Sequence, residues 1–254
     1  MKFQTLASGS KGNCAIVICN DTKIIIDLGI SFLKLKQKLE KINLMVDDFD
    51  GILITHCHND HIKGLQSTLK HSNLNVYVPH DMIKELKEFV PISRIIELNE
   101  ESIIGDFTIR YIRTSHDTEY SVGYIIESID KSIVYVTDTG YINRKYLKMI
   151  KGKDLYLIES NHDEEMLMNG PYPYYLKQRV ISDKGHLSNM TTAKYLQSLV
   201  SDNTKNILLA HLSEKNNTEE KALEATLERL KEINKDDINV LIARQDEESP
   251  LIEV

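Results

Sequence analysis

One heptapeptide limits what this chain can fold into more than any other stretch: Thr55-His56-Cys57-His58-Asn59-Asp60-His61. Three histidines and one aspartate fall within six of its residues. The apolar run Gly51-Ile52-Leu53-Ile54 leads into it and reads as a buried strand of a sheet covered on both faces. The polar side chains then sit at the strand's C-terminal end, where open α/β sheets place their chemistry. An extended backbone from His56 to His58 puts both imidazoles on one side, within reach of one ion. Asp60 and His61 come a turn later and face a second point nearby. Imidazole and carboxylate donors suit zinc, manganese or iron. Surface histidines are the plain alternative, but loop composition does not cluster four ligand types this way.

The arrangement recurs. His116 follows the strand Phe107 to Ile112, Asp138 follows Ser132 to Val136, and His211 follows Asn206 to Ala210. Alone, each would be a core histidine or a turn aspartate. Three repeats argue for one convergent site. Asp27 ends the apolar strand Lys23 to Ile26, and a carboxylate so placed needs hydrogen bonds, here beside the metal ligands. The strand Asp154 to Ile158 runs into Glu159-Ser160-Asn161-His162-Asp163. Gly185-His186-Leu187-Ser188-Asn189 precedes a helix, Met190 to Val200, with Asn189 as its cap.

The remainder is ordinary. A chain of 254 residues suits one large domain or two small ones. No apolar run approaches a membrane span. The opening residues read as a first strand and not a signal peptide. Three cysteines, Cys14, Cys19 and Cys57, are an odd count without metal spacing, so a reducing cytoplasm is the simplest setting. A net charge of −7 argues against an all-over nucleic-acid surface but permits a local basic track. Ser8-Gly9-Ser10-Lys11-Gly12-Asn13 reads as a hairpin turn. Ser31 caps a helix with Phe32, Leu35, Leu39 and Ile42 inward. Asn75 to Val78 and Ile92 to Leu98 read as strands, and Asp81 as the cap of a helix reaching Phe89. Asn217, with Glu220 three residues on, caps a helix with Leu223, Leu227, Leu230 and Ile233 inward. Ile238 to Ala243 is the last strand. Hairpin-rich strands with interspersed helices fit two mixed sheets covered by helices. The Pro171-Tyr172-Pro173-Tyr174-Tyr175 stretch carries no derivable role.

His56-x-His58-x-Asp60-His61, with His116, Asp138 and His211, resembles the metal signature of the metallo-β-lactamase superfamily over nearly the whole chain. Leu6-Ala7-Ser8-Gly9-Ser10-Lys11-Gly12-Asn13, Glu159-Ser160-Asn161-His162-Asp163 and Gly185-His186-Leu187-Ser188-Asn189 resemble the bacterial YycJ/WalJ group, described as DNA exonucleases. Glu159 and His186 are also similar to a glutamate and a histidine of ribonuclease Z. No β-CASP insertion precedes His211, which separates the chain from the ribonuclease J class.

The resemblance implies a single domain over 1–254 of α/β (α+β) class, a four-layer αββα sandwich. It implies two divalent ions, zinc or manganese: His56, His58 and His116 on the first, Asp60, His61 and His211 on the second, Asp138 between them. Two such ions roughly 3.5–4 Å apart share a bridging hydroxide and clamp a phosphodiester. Asp60 would orient that nucleophile, and His186, polarised by Glu159, would protonate the leaving oxygen. Asn161, His162, Ser188 and Asn189 are candidate substrate contacts. The expected activity is that of a phosphodiesterase, foremost a 5′→3′ DNA exonuclease. The alternatives are a cyclic-nucleotide phosphodiesterase and, behind it, a thioester or lactone hydrolase. DNA is favoured over RNA, a small nucleotide stays open, no membrane is expected, and a homodimer is allowed.

Overall fold

The computed structural model describes all 254 residues. Its strands form two seven-stranded sheets. The first takes β1 (Lys2–Ala7), β2 (Cys14–Cys19), β3 (Thr22–Ile26), β4 (Gly51–Leu53), β5 (Val76–Pro79) and β6 (Ile95–Leu98) in chain order. The second runs through β7 (Glu101–Ile104), β8 (Phe107–Arg113), β9 (Val122–Glu127), β10 (Ser132–Val136), β11 (Leu155–Glu159), β12 (Asn206–Ala210) and β13 (Asn239–Ile242). A short β14 (Ile252–Glu253) pairs with the outer edge of β1. Each sheet is antiparallel at its start and parallel at its end, changing at β3 and at β10.

Helices α1 (Phe32–Glu40), α2 (Asn59–Ile62), α3 (Leu65–Lys70) and α4 (His80–Leu86) belong to the first half. Helices α5 (Arg144–Ile150), α6 (Glu164–Asn169), α7 (Tyr174–Ile181), α8 (Asn189–Leu199) and α9 (Glu219–Glu232) belong to the second. The period of two along a strand separates the layers. Ile133, Tyr135, Leu155, Leu157 and Leu208 point into the apolar cluster shared with the first sheet. Their neighbours Val134, Val136, Tyr156, Ile158, Ile207 and Leu209 point the other way, onto Ile150, Leu196, Leu199 and Leu230 of the covering helices. Leu35, Leu69, Met82 and Leu86 close the outer face of the first sheet. The result is the expected αββα sandwich. No helix is long and apolar enough to cross a membrane.

Several boundaries differ from the sequence expectation. The helix after β5 starts at His80 behind Pro79, so Asp81 lies in its first turn and is not its cap, and the helix ends at Leu86. Ile92–Arg94 is a 3₁₀ turn and only Ile95–Leu98 is strand. Thr218, not Asn217, caps α9: its hydroxyl accepts from Lys221 N, and Asn217 is drawn into the interior. That shift turns Ala222, Thr226 and Leu230 inward and leaves Leu227 43% exposed. Ser188, not Asn189, caps α8. The capping of α1 by Ser31 is as expected.

Gly29 is the tightest joint between β3 and the metal motif. Its N–H donates to Asn13 O at 2.8 Å, and Asn13 N donates to Asp60 O at 2.7 Å. A Cβ at position 29 would fall on the Asp60 carbonyl and crowd Asn13 N, both backbone atoms that cannot swing aside. Gly29→Ala is therefore expected to cost at least the roughly 1–3 kcal/mol of an overpacked site. It should also weaken metal uptake, because Asp60 is pushed first. A melting curve and metal titration matching the unsubstituted protein would contradict this.

Candidate metal centre

Every strand that carries a site residue delivers it at or just past its C-terminal end, on one rim of the sandwich. After β4 the chain bends at Thr55 and is extended again at His58, the residue before the four-residue α2 that holds Asp60 and His61. Asp27 after β3, Asp138 after β10 and His211 after β12 have φ of 60°, 53° and 56°. These left-handed turns cost of order 1–3 kcal/mol each and persist because the surrounding bonds hold them. They swing the side chains sideways off the strand ends, toward one another.

Four groups of donors result, one of them Asp138, Glu159, His186 and His211. The ligand atoms of His56, His58 and His116 lie within 4.8 Å of one another, as do those of Asp60, His61 and His211, and those of His56, His61 and Asp138. Rings of His56 and His116 are 5.1 Å apart, and those of His56 and His61 4.0 Å. Asp138 stands between the two histidine groups: Oδ2 is 3.2 Å from His61 Nε2, and Oδ1 is 3.8 Å from His116 Nε2. His56 Nε2, His211 Nε2 and Asp138 Oδ2 are all buried without a hydrogen-bond partner. An orphaned buried polar atom is costly. Three facing one space are what a cation would satisfy, and a set of nitrogen and oxygen donors suits a divalent ion. Cys57 points instead into the apolar core, so no sulfur enters the set.

The histidines are oriented from behind. Fully buried Asp27 takes His61 Nδ1 at 2.8 Å and Thr55 N at 2.8 Å, leaving His61 Nε2 for the centre. Thr55 Oγ1 also lies 3.1 Å from His56 Nδ1. Glu159, 0% exposed, is 2.7 Å from His186 Nδ1 and 2.9 Å from His211 Nδ1 through Oε1, while Oε2 accepts from Thr139 N and Leu187 N. Carboxylate–imidazole pairs of this kind fix tautomer and ring direction.

Electrostatics follow the same plan. Burial alone would raise the Asp138 carboxyl, but His211 and His61 hold it well below its ordinary value. Burial opposes ionisation of Glu159 too, yet the His186 charge and hydrogen bond bring it to about 2. The neighbouring His211 and His61 imidazoles lower the Asp60 carboxyl against burial. All three carboxylates are thus anionic in the range where a cation would bind. Burial pushes His56 and His116 down, toward the neutral form that coordinates metal. His186 is raised because the Glu159 carboxylate outweighs burial.

The candidate substrate contacts divide. Asn161 lines a cavity of about 180 Å³ that His116, His186 and His211 also line. His162, 2% exposed with Nδ1 unpartnered, and Ser188 line a second hollow on the other side of His186. Asn189 reaches neither: it is locked to Ser160 Oγ and to the Asn217 side chain. Asn13, Thr55 and Asp117 were missed by the sequence reading. Asn13 Nδ2 is 3.0 Å from His61 Nε2, and Asp117 Oδ1 is 3.3 Å from His116 Nε2. Asp117 was legible as the carboxylate next to a ligand; Asn13, forty-eight positions from His61, was not.

The family model described as beta-lactamase superfamily domain matches residues 22–212, and the chain belongs to that superfamily, in its metallo-β-lactamase form. It is a hydrolytic enzyme with a divalent-metal site. Among its relatives is the exodeoxyribonuclease YycJ of Bacillus anthracis, 35% identical over 227 residues, which are 87% of this chain and 86% of that protein. The exodeoxyribonuclease WalJ of Streptococcus pneumoniae is 36% identical over 228 residues, 87% of this chain and 85% of that one. The solved metallo-beta-lactamase fold protein YhfI of Bacillus subtilis shares the fold with a TM-score of 0.71 at 18% identity, covering 98% of each chain.

Proposed function

We propose that this chain is a dinuclear phosphodiesterase that degrades DNA from an end, in the 5′→3′ direction. His56, His58 and His116 would hold one ion, Asp60, His61 and His211 the other, and Asp138 both. The observation that carries this reading is the pair of donor triads on either side of Asp138, with His186 beside them on the rim. Zinc or manganese there would supply Lewis acidity and an acidified water. Asp60, beside His61 and His211, would orient that water. His186, its Nδ1 held by Glu159, turns Nε2 toward the open side, where it can give a proton to a departing oxygen. A thiolate departs without a proton, so a thioester has less need of such a donor, which supports a phosphodiester over a thioester substrate.

Size supports a polymer over a cyclic nucleotide. The cavity at the cluster, about 180 Å³, is below the roughly 300–1,000 Å³ of sites that enclose a small ligand. A second hollow of about 280 Å³ shares His186 with it, so a substrate at the centre can extend outward along the rim. The relatives' names favour DNA over RNA. We take residues 1–254 as one domain, and three unpaired cysteines fit a reducing cytoplasm.

The test is metal analysis with a substrate panel. Two ions per chain and stepwise shortening of labelled DNA, abolished by a chelator and restored by manganese or zinc, are expected. One ion at full activity would remove the dinuclear reading. Turnover of cyclic nucleotides with DNA left intact would replace the nuclease reading by the small-ligand one.

A further inference from the structure

The Pro/Tyr stretch lies at the mouth of the metal centre. Tyr172 and Leu176 line the same 180 Å³ cavity as His116, His186 and His211, together with Arg179 and Lys184. Pro173 starts α7, and Tyr174 and Tyr175 on its first turn are 72% and 73% exposed. Neither of these two exposed rings packs in the core, and Tyr175 lies next in the helix to Leu176, which lines the cavity. Tyr175 and Arg179 are one helical turn apart on the same face. Lys215 Nζ lies 6.0 Å from the Tyr172 ring centre, at the outer limit of a cation–π contact. Charge shifts locally in the same place. Between Gly170 and Ser201 there is one acid, Asp183, against Lys177, Arg179, Lys184 and Lys194, in a chain of net charge −7. Lys177 is tied to the Met168 carbonyl at the end of α6 and is structural. Arg179 binds Asp117 through Nε at 2.6 Å and through Nη2. A guanidinium has five donors, so it can hold Asp117 and a phosphate at once.

We propose that Tyr172, Tyr175, Arg179 and Lys184 form a platform for single-stranded nucleic acid, with bases stacked on the tyrosines and phosphates on the two cations. The inference rests on the nuclease reading and specifies its substrate. Exposed aromatic faces accept any unpaired base, whereas the bases of a duplex are already stacked on one another. Stacking is worth roughly 1–3 kcal/mol per base, and each 1.4 kcal/mol is tenfold in affinity.

The test uses the full chain with its metals, a fluorescent single-stranded oligonucleotide and bis(p-nitrophenyl) phosphate. For the double variant Tyr172→Ala/Tyr175→Ala, KM for the oligonucleotide should rise at least tenfold more than KM for the small diester. The double Phe variant, which keeps the rings, should restore it. Arg179→Ala should weaken oligonucleotide binding and flatten its salt dependence. If the unsubstituted enzyme shortens DNA and the double Ala variant does so with the same KM, the platform is refuted and the nuclease reading stands. Equal losses on both substrates, or a changed oligomeric state with no change in DNA binding, would refute it too. If the unsubstituted enzyme hydrolyses the small diester but no DNA, the nuclease reading fails and the platform falls with it.

Discussion

Asp60→Asn is expected to remove most of the activity and leave the fold standing. The Oδ2 atom lies 3.5 Å from His61 Nε2 and 3.7 Å from His211 Nε2, completing a donor triad that an uncharged amide completes poorly. What holds the segment is backbone: Asn13 N on Asp60 O, and Leu28 N on His61 O at 2.7 Å. The side chain belongs to neither apolar cluster and is 23% exposed. Without metal, His211, His61 and the Asn13 amide still favour the charge over the repulsion by Asp138, so the metal-free variant should stay folded and melt slightly below the parent. Altering groups behind the ligands costs roughly 10–100-fold in metal affinity or activity, and losing a ligand carboxylate should exceed that. Rate, metal content and melting temperature are measured on the same sample. A folded, fully metallated variant with near-parental turnover would end the role given to Asp60.

The strand ends that carry the donor residues were more legible in the sequence than the helix boundaries. Buried parallel strands are apolar on both faces, so β4, β10, β11 and β12 stand out as short runs, and the polar residue that ends each run is conspicuous. The left-handed turns at Asp27, Asp138 and His211 leave no such mark, because aspartate and histidine are ordinary residues in many conformations. Asn189 shows the opposite error. It looks like a cap by composition, yet Ser188 takes that place and Asn189 turns inward to Ser160 and Asn217, partners 29 and 28 positions away. Helices α5 to α7 were illegible for a different reason. They are six to eight residues long and bury little, so their apolar period is too short to read.

Glu159 shows why the second half of the site depends on the first. One carboxylate with no exposed surface is fixed by two backbone N–H groups and in turn fixes His186 and His211. It therefore couples a candidate ligand to a candidate acid. The rings of His186 and His211 are 5.3 Å apart, and those of His186 and His116 5.2 Å, so His186 borders the centre without belonging to either triad around Asp138. His186→Ala should keep metal content and fold, since the ring is partly exposed and outside the apolar clusters. A positioned acid contributes roughly 10²- to 10⁴-fold, and the loss on DNA, whose alkoxide leaving group needs a proton, should fall in that range. The loss on bis(p-nitrophenyl) phosphate should be far smaller, because nitrophenolate departs unprotonated. Glu159→Gln should lose on both substrates and shed metal, because His211 loses its orientation as well. Equal losses by His186→Ala on the two substrates would make the histidine a binding group. Loss of metal in that variant would make it a ligand, and no loss on either substrate would leave it as scaffold.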